Sequence, residues 1–545
     1  MLRIMKKNFN NKIVTVIGLG YVGLPLAVSL GKKFRTFGYD LSKKRIEQLK
    51  KFNDFTDEIS FGEIKKSKKL KFTDNESCIK FSDFIIVTVP TPITKLNSPD
   101  FYYLKDACKK IGKFIKKGCT IIFESTVYPG ATNEVCIPII EKISNKIWKK
   151  DFFIGYSPER TNVGDKSKGL KNVTKLISAD CKSTLRLIEK LYSNVTNKLY
   201  ATTSIEVAEA AKSLENTQRD INIAFINEFS KICDKLNINT MDVINAASTK
   251  WNFTKFVPGL VGGHCISVDP YYLIFKSKKL NYFPNLIQSS RTINESMSKF
   301  IFKKIKENLN QKYKKNNSIS VLVLGLTFKA NCKDIRNSKI FDVIKIMKKN
   351  NYKVSSHDPY ANKKDIYDHY KENITDLRDI KSKFDVILFN APHNFYMKNV
   401  KKILKMINKK GLLFDLTSFK TTAPAPITTL SPTLTPCLIT APAPIKLPLP
   451  TFTFPHKTAP GATWTKSPIW HSCSTIEPEF IIQESPIWHW ALIIAPEDTI
   501  VPSPIKAVEE IVAEGSIIFK AFLRSCWINL CWTLRLIVFE PIATK

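Results

Sequence analysis

Several features are missing from this 545-residue sequence, and each absence narrows the class of protein. No run of about 18 uncharged apolar residues occurs, so no transmembrane helix is expected. The nearest candidate, residues 516–539, is interrupted by Lys520, Arg524 and Arg535. The N-terminus is basic and polar without an apolar core, so we expect no signal peptide. The twelve cysteines form no C-x-x-C pair and no zinc-like cluster. We therefore expect no metal site, and reduced thiols in a cytoplasmic protein.

Acidic residues are scarce beside basic ones: 48 Asp and Glu face 84 Lys and Arg, a net charge of +36. The excess lies in residues 1–420, because residues 421–545 hold 8 basic and 9 acidic side chains. Such an excess is typical of proteins that bind nucleic acid or a membrane surface. No basic stripe with interleaved aromatics is present, so we expect no nucleic-acid partner. The same field would favour an anionic substrate such as a nucleotide diphosphate.

The order of apolar segments predicts an α/β protein with two Rossmann-like parallel-sheet domains. Buried-strand patterns alternate with helical patterns, as in a doubly wound sheet. The predicted strands are residues 12–17, 36–40, 84–89, 120–124, 152–156 and 175–178, then 318–325, 353–358 and 385–389. Residues 204–236 have the spacing of one long helix. We predict a first Rossmann domain at 12–200, a helical central domain at 201–312 and a second Rossmann-like domain at 313–420.

The last 125 residues have a different composition. They contain 17 of the 29 prolines and six of the eight tryptophans. Proline at this density blocks helices and sheet ladders alike, yet the Trp and Ile content is too apolar for a solvated linker. We predict that residues 421–545 form an irregular Pro-rich tail, non-native or disordered. A shifted reading frame would explain it, and a genuine Pro-rich interaction segment is the alternative.

The first motif is Gly18-x-Gly20-x-x-Gly23, which follows a predicted strand and opens a helix. Its glycines permit a tight turn and the close approach of a pyrophosphate to the helix N-terminus. Asp40, about twenty residues on, would accept hydrogen bonds from an adenosine ribose, which favours NAD over NADP. The alternative is a plain strand–helix turn.

The second motif places Cys265 beside Gly262-Gly263 and four residues before Asp269. Glycines let the backbone approach a ligand closely, and an exposed thiolate can attack a carbonyl carbon. A hydride acceptor and a cysteine nucleophile in one chain suggest oxidation beyond an aldehyde, to an acid. His264 raises the alternative of a Cys–His protease. That alternative is disfavoured because adjacent residues rarely face each other and no third orienting group is identifiable.

Seven segments, in order along the chain, resemble the nucleotide-sugar 6-dehydrogenases, the family of UDP-glucose and GDP-mannose dehydrogenases. They are residues 16–25, 88–92, 124–130, 156–160, 209–220, 262–273 and 325–338. The nearest likeness is to the bacterial UDP-N-acetylglucosamine/galactosamine 6-dehydrogenases of surface polysaccharide biosynthesis. The resemblance implies that the first domain binds NAD and the third binds a UDP-sugar. It also implies two successive oxidations at C6, ending in a uronic acid, and a homodimer built on the long helix.

The resemblance also implies roles for individual residues. Cys265 would add to the intermediate aldehyde and carry a thiohemiacetal and then a thioester. Lys212 and Asn216, one helical turn apart, would stabilise oxyanion charge. The residues implied for proton transfer and water activation are Asp269, Glu159 and Thr126. Those implied for cofactor binding are Gly18, Gly20, Tyr21, Val22, Gly23, Asp40, Arg45, Pro90, Thr91, Thr126 and Arg336. Those implied for substrate binding are Arg160, Lys212, Asn216, Gly262, Arg291, Asn294 and Lys329.

Several of these assignments have a structural alternative. Glu159 could form a surface ion pair with Arg160, and Asp269 could simply cap a turn. Arg291 and Asn294 could lie on a solvated helix face.

Two segments depart from the family pattern. Residues 161–164 read Thr-Asn-Val-Gly where relatives read Ile-Asn-Pro-Gly, and Val257 stands where an Arg is common. The open functional alternatives are the same chemistry on UDP-glucose or UDP-N-acetylmannosamine, a two-electron hydroxy-acid dehydrogenase, and an inactive or nucleic-acid-binding product.

Overall fold

A computed structural model describes residues 9–161, 169–310, 318–380, 382–416 and 420–422. Residues 420–422 are described by their backbone alone. Residues 423–545, almost all of the predicted tail, therefore lie outside the described part of the chain. Residues 162–164 of the departing segment lie outside it as well.

The first sheet has eight strands, and its centre is apolar on both faces. Every residue of the fourth and fifth strands is buried, as expected for parallel strands covered by helices on both sides. The strands are β1 (Ile13–Ile17), β2 (Arg35–Tyr39), β3 (Leu70–Thr73), β4 (Phe84–Val87), β5 (Cys119–Phe123), β6 (Phe152–Tyr156), β7 (Lys175–Ala179) and β8 (Leu199–Ala201). Their order is β3-β2-β1-β4-β5-β6-β7-β8. All neighbours are parallel except β6 and β7.

Two apolar clusters, one on each face, hold this sheet to its helices. The helices are α1 (Gly23–Leu30), α2 (Lys43–Lys50), α3 (Phe61–Lys66), α4 (Tyr102–Phe114), α5 (Ile137–Ser144) and α6 (Lys182–Tyr192). A 3₁₀ turn at Glu76–Phe81 and a π-helical turn at Thr132–Cys136 interrupt the pattern. Helix α1 starts directly after the Gly18–Gly23 turn, so its N-terminus faces the carboxyl edge of the sheet.

The central region is helical and is organised by one long helix, α7 (Ile205–Leu236). Ser204 caps its start by accepting a bond from the Val207 amide. The helix buries a polar row: Glu209, Lys212, Ser213, Asn216, Thr217 and Asp220. Buried polar groups need partners, so this row indicates a built site rather than ordinary packing. The helices that follow are α8 (Thr240–Ala247), α9 (Asp269–Lys279) and α10 (Asn285–Asn310).

The second sheet repeats the architecture on a smaller scale. Its strands are β9 (Ser320–Leu324), β10 (Lys353–His357), β11 (Phe384–Phe389), β12 (Ile407–Asp415) and β13 (Lys420–Thr422), in the order β10-β9-β11-β12-β13. Only β13 is antiparallel to its neighbour. The accompanying helices are α11 (Ile340–Lys349), α12 (Lys363–Tyr370), α13 (Asn394–Lys398) and α14 (Val400–Leu404).

The predicted fold class, two Rossmann-like sheets joined by a helical middle, is confirmed. The sequence patterns did not predict β3, β8, β12 or β13, and they did not predict that β7 runs against β6. Across the described ranges, no helix is both long enough and apolar enough to cross a membrane.

Candidate active site

The turn after β1 has the geometry of a dinucleotide-binding turn. Gly18 has φ +91°, which an L side chain rarely adopts, and its amide donates to the Tyr39 carbonyl at 2.8 Å. A Cβ on Gly23 would lie 1.8 Å from the Gly18 oxygen. A Cβ on Gly20 would meet nothing within 4 Å. Gly18 and Gly23 therefore shape the turn, whereas Gly20 leaves open space beside Tyr21 and Val22, where α1 begins.

The groups around this turn fit NAD. Asp40 is half-buried, and its two carboxylate oxygens accept bonds from the Leu19 amide at 2.8 Å and the Ser42 amide at 2.9 Å. Arg45 donates Nε to the Leu19 carbonyl at 3.0 Å and pairs with Asp54 at 2.8 Å, yet its Nη1 is buried without a partner. An unpartnered guanidinium nitrogen and a helix N-terminus both favour an anionic group. The assignment of Arg45 to the cofactor stays a prediction.

The carboxyl ends of β4 and β5 close the other side of this site. Thr88 donates its hydroxyl to the Gly18 carbonyl at 2.7 Å, a contact the sequence did not reveal. Thr91 donates to the Thr126 carbonyl at 2.7 Å, and the Tyr272 hydroxyl donates to the Thr91 carbonyl. Pro90 is exposed beside them. These bonds connect the sheet edge to α9, the helix that follows the cysteine.

Four of the predicted catalytic residues lie together between α7 and α9. Cys265 is part-exposed, and its carbonyl accepts the Asp269 amide at 2.8 Å, so the thiol sits one turn before α9. The buried Asp269 carboxylate accepts a bond from Asn216 Nδ2 at 2.5 Å. Burial raises the pKa of Asp269, and the charge of Lys212 together with the Asn216 bond opposes the rise. Asp269 thus does more than cap a turn.

Glu159 lies at the carboxyl end of β6 and does not pair with Arg160. Its Oε1 accepts the Arg160 amide at 2.8 Å, whereas its Oε2 is buried without a hydrogen-bond partner and lies 4.0 Å from Lys175 Nζ. The Arg160 guanidinium pairs with Glu215 on α7 at 2.7 Å. The surface ion pair considered from the sequence is therefore wrong. An unsatisfied carboxylate oxygen is suited to hold a water.

Sequence reasoning missed Lys175, which lies beside Glu159. Lys175 is 4% exposed, bonds the buried Glu124 at 3.0 Å and donates to the Ser157 carbonyl at 3.4 Å. Burial raises the pKa of Glu124, and the Lys175 charge opposes it. A lysine in a strand of mostly apolar residues gave no motif to find.

Arg291 and Asn294 lie buried against α7, not on a solvated face. Arg291 Nη1 bonds Asp220 at 2.6 Å, and Asn294 Nδ2 bonds the same carboxylate at 2.7 Å. Asn227 bonds Asn294 at 2.8 Å, which extends the network. Asp220 is the partner that Arg291 and Asn294 share, and Arg291 Nη2 pairs with Glu295 as well. The role of Arg291 and Asn294 in substrate binding stays a prediction.

The β9–α11 loop (residues 325–339) packs onto the cysteine loop (residues 257–268). A Cβ on Gly262 would lie 2.7 Å from the Asn337 carbonyl, and Asn337 Nδ2 donates to the Gly263 carbonyl at 3.2 Å. Lys329, part-buried beside Phe328, belongs to the same loop. Arg336 stacks over the Tyr21 ring, with its guanidinium carbon 4.9 Å from the ring centroid. The loop therefore touches both the cysteine loop and the dinucleotide turn.

The fold and the glycine turn together are those of a dehydrogenase that binds a nicotinamide dinucleotide. In the described residues, all eight cysteines are free thiols, and no group of three or more His, Cys, Asp or Glu is arranged to hold a metal.

Sequence comparison identifies the family. Sequence models of the UDP-glucose/GDP-mannose dehydrogenase family match residues 12–196 as the NAD binding domain, 206–296 as the central domain and 322–421 as the UDP binding domain. The chain belongs to this family and is an NAD-dependent nucleotide-sugar dehydrogenase.

Individual relatives agree. The chain is 43% identical to Protein CapL of Staphylococcus aureus over 74% of its own length and 96% of that protein. It is 42% identical to a UDP-N-acetyl-D-glucosamine 6-dehydrogenase of Salmonella typhi over 74% of its own length and 95% of that protein. A solved structure of a UDP-D-ManNAc dehydrogenase from Pyrococcus horikoshii superposes with a TM-score of 0.68 at 29% identity, covering 75% of this chain and 96% of that one.

Proposed function

We propose that the protein oxidises C6 of a UDP-N-acetylhexosamine, with glucosamine or galactosamine as the sugar, to the uronic acid. The observation that carries the proposal is Cys265 next to the buried Asn216–Asp269 pair. A nucleophile is unnecessary for a single alcohol oxidation, but it can hold an aldehyde for a second one. Identities of 42% and 41% to two UDP-N-acetyl-D-glucosamine 6-dehydrogenases support this sugar. The product would serve surface polysaccharide synthesis.

The turn after β1 would hold NAD, which would supply the hydride acceptor for each of the two oxidations. Asp269, whose pKa burial raises, exchanges the proton of the C6 alcohol. The Cys265 sulfur then adds to the aldehyde, and Lys212 and Asn216 stabilise the oxyanion of the thiohemiacetal. After the second oxidation, Glu159 activates the water that cleaves the thioester.

Five further residues complete the mechanism. Thr126 orients the attacking water beside Glu159, Arg160 and Lys329 bind the UDP-sugar, and Gly262 lets the cysteine loop approach it closely. Arg336, which stacks over Tyr21 and donates to Asp334, would bind a cofactor phosphate.

Reaction stoichiometry with a panel of UDP-sugars tests the function. We expect two NADH per UDP-N-acetylglucosamine or UDP-N-acetylgalactosamine. Cys265→Ala should release no second NADH. A single NADH per turnover in the unaltered enzyme, or two in Cys265→Ala, would contradict the proposal.

A second candidate sugar is UDP-N-acetylmannosamine. It is favoured by the structural match to the Pyrococcus horikoshii enzyme and by 32% identity to a UDP-N-acetyl-D-mannosamine dehydrogenase of Methanocaldococcus jannaschii. The sugar panel decides between the candidates, because the preferred sugar will have the highest kcat/KM. The same panel includes UDP-glucose.

We further infer a homodimer in the cytoplasm. Helix α7 leaves five large apolar side chains more than two-fifths exposed: Val207, Leu214, Phe225, Ile232 and Leu236. A patch of this kind on one helix is typical of a protein interface. Sedimentation should give twice the mass of the chain, and Phe225→Glu should shift the mass towards the monomer. A wild-type monomer would refute this inference.

The tail raises the alternative of an inactive product. The similarity to CapL, which spans 96% of that protein, covers only 74% of this chain. We expect a chain that ends at Thr422 to oxidise the sugar at the same rate as the full chain. An inactive full chain beside an active shortened one would favour the alternative.

A further inference from the structure

Lys175 lies at the carboxyl edge of the first sheet, although it is the first residue of its strand. Strand β7 runs against β6, so the start of β7 lies beside the carboxyl end of β6. There the buried ammonium donates to Glu124, just after β5, at 3.0 Å and to the Ser157 carbonyl at 3.4 Å. A parallel β7 would have put Lys175 at the opposite edge. No step of the proposed mechanism uses Lys175 or Glu124.

Glu124 and Tyr192 anchor this ammonium. Each oxygen of the buried Glu124 has a partner, because Oε2 accepts from Lys175 and Oε1 accepts from the Tyr192 hydroxyl. The Lys175 nitrogen also lies 5.1 Å from the centroid of the Tyr192 ring, within the range of a cation–π contact. The charge of Lys175 is therefore held in one place by a buried acid and an aromatic ring.

The free oxygen of Glu159 lies close to the same ammonium. Glu159 Oε1 accepts the amides of Arg160, at 2.8 Å, and of Thr161, which fixes one end of the carboxylate. Oε2 is buried without a hydrogen-bond partner and lies 4.0 Å from Lys175 Nζ, too far for a direct hydrogen bond. Of the three N–H groups of Lys175, two have acceptors in the described part of the chain. One donor and one acceptor are therefore left 4.0 Å apart.

This gap suits one water molecule. A water about 2.8 Å from Oε2 can also lie about 2.8 Å from Nζ, because the two atoms are 4.0 Å apart. Glu159 and Lys175 line a small cavity together with the apolar side chains of Leu170 and Val173, and it has room for about one water. A buried water needs at least two polar partners. The carboxylate oxygen and the ammonium supply an acceptor and a donor.

We propose that Lys175 is a positioning residue for thioester hydrolysis, and that its ammonium and Glu159 Oε2 hold the attacking water between them. This inference rests on the proposed function of Cys265 and Glu159. The water accepts an N–H from Lys175 and donates an O–H to Oε2. As the water oxygen bonds the thioester carbon, that proton passes to Glu159, and the Cys265 sulfur leaves with the electron pair of the carbon–sulfur bond. Lys175 gives and takes no proton.

The test is the lifetime of the Cys265 thioester in a single turnover of the full chain with NAD and UDP-N-acetylglucosamine, measured by quenching and peptide mass spectrometry. Lys175→Met removes the ammonium but keeps an unbranched side chain. We expect the thioester to last about tenfold longer, since the water loses one of the two groups that orient it. The burst of two NADH should keep its rate, because neither hydride transfer uses the water. Lys175→Arg, which retains a charged donor, should restore much of the hydrolysis rate.

Further variants separate this effect from a loss of structure. Lys175→Met leaves Glu124 without its cation, and a buried unpaired charge destabilises a fold. Glu124→Gln combined with Lys175→Met removes that charge and should show the same longer lifetime. Glu124→Gln alone keeps an acceptor for the ammonium and should change the lifetime less. Lys182→Met changes an exposed lysine at the start of α6 and should leave the lifetime unaltered.

A wild-type thioester lifetime in folded Lys175→Met, or in the double variant, would overturn the inference. An equal slowing of the NADH burst would also overturn it, because Lys175 would then act on the whole site. Glu159→Gln separates the two kinds of failure. If Glu159→Gln accumulates thioester while the lysine variants do not, only the role of Lys175 is wrong. If it accumulates none, the proposed hydrolysis at Glu159 fails, and this inference fails with it.

Discussion

Each Rossmann-like half of the chain has the same kind of turn after its first strand, but the turn serves a different purpose in each half. In the first half Gly18 donates to Tyr39, and the Leu19 amide donates to Asp40 at 2.8 Å. In the second half Gly325, with φ +86°, donates to His357 at 3.0 Å, and the Leu326 amide donates to Asp358 at 2.6 Å. The backbone design is the same, so the backbone alone does not decide which half binds the dinucleotide.

Side chains decide which half binds the dinucleotide. The third turn residue is Gly20 in the first half, with open space, and the buried Thr327 in the second, whose hydroxyl bonds the Lys329 carbonyl at 2.8 Å. Asp40 is half-buried, whereas the Asp358 oxygen that caps the turn also contacts His393 Nε2 at 3.1 Å. The turn after β9 therefore has neither the open space that Gly20 leaves after β1 nor an acid as free as Asp40 to accept a ribose hydroxyl.

The connection after the turn differs as well. Helix α1 begins at once, at Gly23, whereas α11 waits until Ile340. The intervening loop is what brings Lys329, Asp334 and Arg336 to the cysteine loop. One half presents a helix N-terminus, and the other presents charged side chains.

The largest effect is expected when Gly20, the third residue of the first turn, is replaced by threonine, the residue at the same place in the second turn. Gly20→Thr fills the open space while leaving the turn intact, so the protein should fold normally and lose NAD affinity about a thousandfold, roughly 4 kcal/mol. Isothermal titration with NAD measures the loss. Gly62→Ala, also in open space but on α3, should change nothing. If Gly20→Thr bound NAD as tightly as the unaltered protein, the comparison between the two turns would be wrong.

The two regions should also respond oppositely to pH between about 4.5 and 6.5. Burial raises the pKa of Glu209, which holds the 130–132 turn of the first half, from 4.5 to about 7. Folding therefore favours its neutral form, and stability is lost as pH rises. Burial lowers the pKa of His357 from 6.5 to about 4, so stability in the second half is lost as pH falls. Each shift corresponds to about 3 kcal/mol at full effect.

Amide hydrogen exchange, corrected for its intrinsic pH dependence, checks this for peptides around 126–134 and around β10. Protection should fall with rising pH in the first set and rise in the second. Glu209→Gln and His357→Gln should each flatten only their own slope. Parallel slopes in the unaltered protein would refute the assignment.

A smaller effect is expected at the acid after the second strand of each half. Asp40→Asn should weaken NAD binding about tenfold, or roughly 1.4 kcal/mol, since a carboxylate accepts two ribose hydroxyls better than an amide. Asp358→Asn should leave NAD affinity unchanged, because that acid is enclosed by His393. Equal losses of affinity in both variants would show that the halves share the dinucleotide.

The sequence predicted what depends on local pattern. Glycine spacing identified the turn at Gly18–Gly23, apolar runs identified β1, β4 and β9, and helical spacing identified α7 almost to its ends. Short strands such as β8, with three residues, carry too little pattern to be found. The antiparallel pairing of β7 with β6 is a tertiary arrangement that no periodicity encodes.

The candidate site was predicted in part, for a similar reason. Asn216 and Asp269 were found because both lie in motifs, although their 2.5 Å bond joins residues 53 apart. Lys175 was missed because it lies in a strand without a motif. Sequence reasoning found no third group beside His264 and Cys265, because Asp334, whose Oδ2 lies 3.3 Å from His264 Nδ1, is 70 residues away in sequence.

The most direct measurement of the central claim is the mass of the Cys265 peptide during turnover. Glu159→Gln, mixed with NAD and UDP-N-acetylglucosamine, should accumulate a thioester, because it removes the carboxylate whose Oε2, buried without a hydrogen-bond partner, would activate the water. The account predicts a peptide heavier by the oxidised UDP-sugar, attached at Cys265 and removable by hydroxylamine. An unmodified Cys265 during continued NADH formation would contradict it.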